Sequence, residues 1–106
     1  MTDDPLARLE AVIAGRRGAD PASSYTASLF AKGRPAIARK LGEEAVETLV
    51  AALGDDRAAL TAEAADLLYH LLVLLADAGL SLADVRAELA RREGVSGHDE
   101  KAARSR

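Results

Sequence analysis

Two pairs of acidic residues, Glu44 with Glu47 and Glu63 with Asp66, interrupt the most apolar stretches of this 106-residue sequence. The members of each pair are three positions apart, so a helix would place them on the same face. Carboxylates beside many apolar side chains are expensive to bury unless they are paired with cations or bound to a metal. Two such helices packed together would form a cage of oxygen ligands, the ligand type that Mg²⁺ prefers.

The composition favours helices over strands. Apolar residues make up 49% of the chain and aromatic residues only 3%, and alanine and leucine outnumber the β-branched residues. A chain of this length is expected to form one domain. We therefore predict an all-α bundle of about five helices over residues 1–94, followed by a polar, basic and loosely ordered tail over residues 95–106.

Start and stop signals divide this domain into helices. We predict helices over about residues 5–17, 24–32, 35–53, 56–78 and 82–93. Ser23 or Ser24 is the predicted cap of the second helix, and Ser81 with Asp84 forms a capping-box pattern at the start of the fifth. The third and fourth helices carry the acidic pairs, and the short loop between them predicts antiparallel packing.

Several classes of protein do not fit this sequence. The net charge of −3, from 14 basic and 17 acidic residues, is small and mixed, so we expect no nucleic-acid partner. The absence of cysteine excludes disulfides and cysteine-based zinc sites. No basic segment followed by an apolar core opens the chain, so no signal peptide is predicted. The longest apolar run, residues 67–75, is about half a bilayer span, so we expect no membrane partner and a soluble, cytoplasmic protein.

Helical periodicity places the acidic pairs on narrow polar stripes. Lys40, Glu44 and Glu47 share one stripe of the third predicted helix, and apolar residues cover most of its remaining surface. In the fourth helix, the second acidic pair lies within about 60° of His70. A solvated stripe would explain either pair alone, because glutamate is a good helix former. Two pairs on adjacent apolar helices favour a shared cleft, since like charges destabilise a helix unless cations lie among them.

A di-iron site is the other carboxylate site that helical bundles build, and it requires Glu-x-x-His motifs. His70 follows Asp66 by four residues and Glu63 by seven, and His98 lies in the tail, so neither histidine has the required spacing. A set of oxygen ligands favours Mg²⁺ or Mn²⁺ over iron. We predict that His70 is a hydrogen-bonded core residue, with a ligand or catalytic role as the alternative.

The acidic motif, Glu43-Glu44-x-x-Glu47 followed by Glu63-x-x-Asp66, is similar to the signature of the MazG-like superfamily of all-α nucleoside-triphosphate pyrophosphohydrolases. Segments 24–33, 40–47, 63–75 and 79–85 resemble the phosphoribosyl-ATP pyrophosphatase family, and residues 91–102 resemble its longer-tailed members. The resemblance covers about residues 24–104. Fusions of this activity to a phosphoribosyl-AMP cyclohydrolase carry zinc-binding cysteines, so we expect the stand-alone enzyme.

The resemblance implies hydrolysis of phosphoribosyl-ATP between its α and β phosphates, giving phosphoribosyl-AMP and pyrophosphate in the second step of histidine biosynthesis. It also implies that Mg²⁺, or Mn²⁺ in its place, is bound by Glu44, Glu47, Glu63 and Asp66. A carboxylate that is not committed to the metal would orient or deprotonate the attacking water, and either Glu43 or Glu47 fits this role.

Basic residues are the candidates for binding the substrate phosphates. The candidates are Lys32, Lys40, Lys101 and Arg104, with Arg34 as a further one. Each of them also fits an ordinary surface charge, and Lys40 would equally well balance Glu44. Tyr25 either stacks on a base or ribose, or packs in the core beside Phe30.

A homodimer is expected, because the family's helices pack as one and because leucines on nearly every side of the fourth helix require a partner. The tail would then reach the neighbouring subunit's site. Two other functions stay open at this point. One is a pyrophosphohydrolase that acts on other (d)NTPs, and the other is a non-catalytic helical assembly module.

Overall fold

The computed structural model describes residues 4–94, 97 and 101. Its five helices are α1 (Pro5–Gly15), α2 (Tyr25–Lys32), α3 (Arg34–Ala52), α4 (Arg57–Asp77) and α5 (Leu82–Arg91). No strand occurs within the described ranges. The prediction of an all-α bundle is therefore confirmed, and the ends of the helices lie within about two residues of their predicted positions.

Side-chain caps set the starts of four helices. Asp4, Ser24 and Asp56 each accept a hydrogen bond from a backbone N–H in the first turn of α1, α2 and α4. Ser81 and Asp84 form the predicted capping box of α5. Of the two candidate caps of α2, Ser23 and Ser24, the structure uses Ser24. Local hydrogen bonding therefore explains four of the five helix starts.

Gly33 makes the abrupt change of direction between α2 and α3. Its φ of +91° lies in a region that residues with a Cβ rarely adopt. Its N–H bonds the carbonyl of Phe30 at the end of α2, and its own carbonyl accepts from Ile37 in the first turn of α3. One glycine thus ends one helix and begins the next, which lets α2 fold back against α3.

The core lies where the first four helices meet. Each of these helices contributes one or two buried side chains to the core, which are Ile13, Leu29, Ile37, Leu72 and Val73. Burying one such side chain contributes roughly 1.5–3 kcal/mol. Helix α5 contributes no fully buried residue. It is held to α1 by polar contacts, in which the Leu82 N–H donates to Glu10 Oε2 at 2.6 Å and Arg86 pairs with Asp4 at 2.9 Å.

Helix α4 is the central helix of the bundle. It is long and apolar enough, by length and composition alone, to cross a membrane, although its longest uninterrupted apolar run is much shorter. It packs against α1, α2 and α3 and carries three acidic residues and a buried histidine among its apolar side chains. Helix α4 is thus the element against which the other three helices pack.

The two described residues of the tail, Gly97 and Lys101, have helical backbone conformation. The prediction of a loosely ordered tail over residues 95–106 is not tested by these two positions. Arg104, which was predicted to contact phosphate, lies outside the described residues.

Candidate functional site

The contact between α3 and α4 brings three of the four predicted metal ligands together. Glu44, Glu63 and Asp66 each offer a carboxylate oxygen within 4.8 Å of those of the other two. Glu44 is buried, Glu63 is half-buried and Asp66 is exposed. The three residues, called the acidic trio below, therefore form a site that is closed on the α3 side and open to solvent beyond Asp66.

One oxygen of the acidic trio lacks the interaction that burial demands. Glu63 Oε2 is inaccessible to solvent and has no hydrogen-bond donor among the described residues. An unsatisfied buried carboxylate oxygen is strongly unfavourable, and a divalent cation would supply the missing interaction. Three carboxylates and no nitrogen or sulfur donor suit Mg²⁺ or Mn²⁺. The acidic trio thus fits a hard divalent cation.

Glu47 is not part of the acidic trio but lies beside it. A hydrogen bond with the Glu44 carboxyl raises the pKa of Glu47 above its ordinary value of 4.5, and the negative charges of Glu44 and Glu63 raise it further. These carboxyl groups are therefore close enough to share a proton when no cation lies between them. Since a bound metal displaces protons from its ligands, it would remove the need for this shared proton.

Lys40 forms the cationic border of the site. Its Nζ lies 3.5 Å from Glu44 Oε1 and 3.6 Å from Glu43 Oε1. The Tyr25 hydroxyl contributes most to raising the pKa of Lys40, and the carboxylates of Glu44 and Glu43 add to the effect. Lys40 is thus firmly cationic at neutral pH, and it compensates part of the charge that Glu44 brings into the interior.

A cavity of about 320 Å³ borders Lys40, and no member of the acidic trio lines it. Its lining residues are Tyr25, Leu29, Lys32, Ala36, Arg39, Lys40 and Glu43. Three of the seven carry positive charge, so this cationic pocket can accept an anionic group such as a phosphate. Lys32 and Lys40 were predicted for that role. Arg39 was missed, although four basic residues within positions 32–40 were a visible signal.

The other predicted phosphate contacts are not found at this pocket. Arg34 points to the C-terminal end of α4, where its Nε donates to Asp77 Oδ2 and its Nη2 donates to the Asp77 carbonyl, both at 2.9 Å. A guanidinium there satisfies an otherwise unpaired carbonyl and complements the helix dipole. Lys101 is not among the residues that line the cationic pocket. Arg34 thus bonds the C-terminal end of α4 and does not line the cationic pocket.

His70 is buried and hydrogen-bonded, as predicted. Its Nδ1 lies 2.8 Å from the backbone oxygen of Asp66, which can only accept, so Nδ1 carries the proton. Its Nε2 then accepts from the Tyr25 hydroxyl at 3.3 Å. Tyr25 is 54% exposed and stacks on Tyr69, with the ring centroids 6.3 Å apart. The suggestion that Tyr25 packs in the core is therefore wrong, and its side chain lines the cationic pocket.

Comparison with known protein families matches residues 6–93 to the family described as phosphoribosyl-ATP pyrophosphohydrolase. The chain belongs to this family. The phosphoribosyl-ATP pyrophosphatase of Rhizorhabdus wittichii is 67% identical over 99 residues, which cover 93% of each chain. The proteins of the same name from Zymomonas mobilis and Dinoroseobacter shibae are 60% identical over 104 residues and 64% identical over 99 residues. These matches cover 98% and 93% of this chain and 97% of each relative.

Family membership confirms the resemblance that the acidic motif and its flanking segments indicated. The matched region contains α1 to α5, the acidic trio and the cationic pocket. In this member of the phosphoribosyl-ATP pyrophosphohydrolase family, Lys40 therefore lies at both places: it pairs with Glu44 of the acidic trio and lines the cationic pocket. A ligand that carries several phosphates could contact a metal at the trio and the cations of the pocket at the same time.

The raised pKa of Glu47 predicts a pH-dependent stability for the metal-free protein. Between pH 4.5 and the raised pKa of Glu47 in the folded state, the folded protein keeps a proton on Glu47 that the unfolded chain has already released. The contribution of Glu47 to the free energy of unfolding therefore falls as pH rises through this interval and stays low above it. Glu47→Gln cannot ionise, so relative to the unmodified protein it should be more stable at pH 7 than at pH 4.

Denaturant unfolding in EDTA between pH 4 and pH 7 measures this difference. Glu93→Gln, an exposed position beyond the end of α5, is the matched control and should track the unmodified protein. A stability difference for Glu47→Gln that does not change with pH would contradict the shared proton.

Metal binding at the acidic trio predicts a rise in melting temperature. A cation at 100 times its dissociation constant stabilises the folded state by about 2.7 kcal/mol, which corresponds to roughly 10 °C or more for a domain of this size. Glu63→Gln should lose most of this rise, whereas Glu93→Gln should keep it. Thermal melts with MgCl₂, MnCl₂ or NaCl at equal ionic strength test the assignment, and an equal response to all three salts would refute it.

Proposed function

We propose that this chain hydrolyses phosphoribosyl-ATP to phosphoribosyl-AMP and pyrophosphate, the second step of histidine biosynthesis, in the cytoplasm and with Mg²⁺ or Mn²⁺ as cofactor. The observation that carries this proposal is the acidic trio beside a cationic pocket in a member of the phosphoribosyl-ATP pyrophosphohydrolase family. The names of the relatives support the choice of substrate over other (d)NTPs.

Electrostatics explains why this substrate needs both the acidic trio and the cationic pocket. A triphosphate and a group of carboxylates repel each other, so the acidic trio can approach the substrate only through a bridging cation. When bound, a divalent ion neutralises phosphate charge and makes a coordinated water more acidic. Glu44, Glu63 and Asp66 would hold that ion, and Lys32, Arg39 and Lys40 would bind phosphate oxygens in the cationic pocket.

Glu47 is the candidate for the general base. It lies beside the acidic trio without belonging to it, so its carboxylate is not committed to the metal. Its carboxylate would accept the proton of the attacking water. Glu43 is the alternative base. Its Oε1 lies 3.6 Å from Lys40 Nζ, and this contact suits an ion pair that holds Lys40 between the acidic trio and the cationic pocket.

A homodimer is the proposed assembly, and the surface of α3 supports it. The outer face of this helix carries Val46, Leu49, Val50 and Leu53, which are 58–90% exposed. Monomers avoid an apolar patch of this kind. A cavity of about 320 Å³ begins at this face and reaches Glu47 and Glu63, so a second copy that covers the face would also close one side of the acidic site.

The sequence suggested α4 as the helix that requires a partner. In the single chain most leucines of α4 are at least half covered, and Leu68 is the most exposed of those in residues 67–75 at 45%. The outer face of α3 carries the larger apolar exposure, because Glu44 and Thr48 occupy the face toward α4. The proposed interface is therefore centred on α3.

Pyrophosphate release from phosphoribosyl-ATP tests the proposed function. We expect Glu44→Gln, Glu63→Gln and Asp66→Asn to lower kcat at least about 100-fold, because each removes a ligand of the metal that stabilises the transition state, and to keep the helical circular dichroism spectrum. Glu93→Gln should retain full activity.

Equal rates with phosphoribosyl-ATP and with dNTPs would instead favour a general nucleotide pyrophosphohydrolase. A melting temperature insensitive to Mg²⁺ together with no activity would favour the assembly module.

The proposed dimer predicts a mass of twice 11.1 kDa in solution. Leu49→Asp places a charge at the centre of the apolar face of α3 and should shift sedimentation toward a monomer, with loss of activity. Leu80→Asp, which changes a leucine that is 50% exposed outside α3, is the matched control and should remain dimeric. A fully active monomer of the unmodified protein would refute the assembly.

A further inference from the structure

Thr48 occupies a position that the proposed chemistry does not use. Its Oγ1 lies 2.8 Å from the backbone oxygen of Glu44 on its own helix and 3.2 Å from the backbone oxygen of Glu63 on α4. A hydroxyl carries one proton, and backbone oxygens only accept. The Thr48 hydroxyl is therefore a donor shared between the carbonyls of two members of the acidic trio.

The bond to Glu44 alone would be unremarkable, because threonine often bonds the carbonyl four residues earlier in a helix. Thr61 of α4 does so, with its Oγ1 2.9 Å from the carbonyl of Arg57. The contact with Glu63 is different, since it crosses from α3 to α4 at the level of the acidic trio. Thr48 thus ties together the two backbone segments that carry Glu44 and Glu63.

The third member of the trio is held in a similar way. His70 donates from Nδ1 to the backbone oxygen of Asp66 at 2.8 Å. All three candidate ligands therefore have a backbone carbonyl that accepts a hydrogen bond from a side chain. Thr48 is the only residue among those described that makes such a bond to two of them.

We propose that Thr48 is a positioning residue that sets the separation of Glu44 and Glu63 for binding a divalent cation. This inference rests on the proposed metal site. The hydroxyl does not touch the metal-binding carboxylate oxygens, and it acts through the backbone from which both side chains extend. A cation needs its ligand oxygens at nearly fixed distances, so looser spacing of the two helices weakens binding without unfolding the bundle.

Three variants separate this role from ordinary packing. Thr48→Val keeps the branched shape and removes the hydroxyl, whereas Thr48→Ser keeps the hydroxyl and removes a methyl group. Thr61→Val is the matched control, because it deletes a threonine–carbonyl bond of the same kind that does not cross between helices. Thr48→Ala is measured in parallel, so that the comparison with Thr48→Ser still holds if the valine variant does not fold.

Mn²⁺ binding to the substrate-free protein, followed by electron paramagnetic resonance or calorimetry, is the measurement. We expect Thr48→Val and Thr48→Ala to raise the Mn²⁺ dissociation constant about 10-fold, in the range typical for residues that orient metal ligands. Thr48→Ser and Thr61→Val should bind as the unmodified protein does. Unchanged affinity in Thr48→Val, or equal weakening in Thr48→Ser, would overturn the role of Thr48. No Mn²⁺ binding by the unmodified protein would instead overturn the proposed metal site.

Discussion

The burial of Glu44 between α3 and α4 is the constraint on which the rest of the structure depends. A carboxylate in this position requires compensation, and Lys40 supplies part of it at 3.5 Å. The remaining negative charge, from Glu63, Asp66 and Glu47, is balanced by no other cation within 4.0 Å in the described part of the chain. The helix pair is thus built around an excess of negative charge that a divalent cation would relieve.

This arrangement reverses the usual amphipathic pattern of a bundle helix. Helix α3 turns Glu44 and Thr48 toward α4 and leaves Leu49, Val50 and Leu53 on its outer face. The ordinary hydrophobic core is confined to the other end, where α1 and α2 cover the pair around Ile37 and Val73. One helix therefore serves both the acidic site and the proposed subunit interface, and closing the interface would also enclose the site.

Much of the fold could be predicted because its signals are local. Caps such as Ser24 and Asp56 and the turn at Gly33 act within a few residues of themselves, so the sequence places them well. The acidic pairs were also readable, since i,i+3 spacing on two consecutive helices brings them to one interface. The phosphate contacts were harder to predict. Lys32 lies at the pocket, but Arg34, two residues later, bonds Asp77 at the far end of α4.

The sequence by itself determined the five helices, the acidic motif and the family, because these depend on neighbours in the chain and on residue order. Only the tertiary structure decided which members of the motif meet. It groups Glu44 with Glu63 and Asp66, sets Glu47 beside them, and adds Arg39 and Thr48. The reason is geometric: these contacts depend on the rotation and separation of α3 and α4. A helical pattern gives the face on which a residue lies but not the distance to a neighbouring helix.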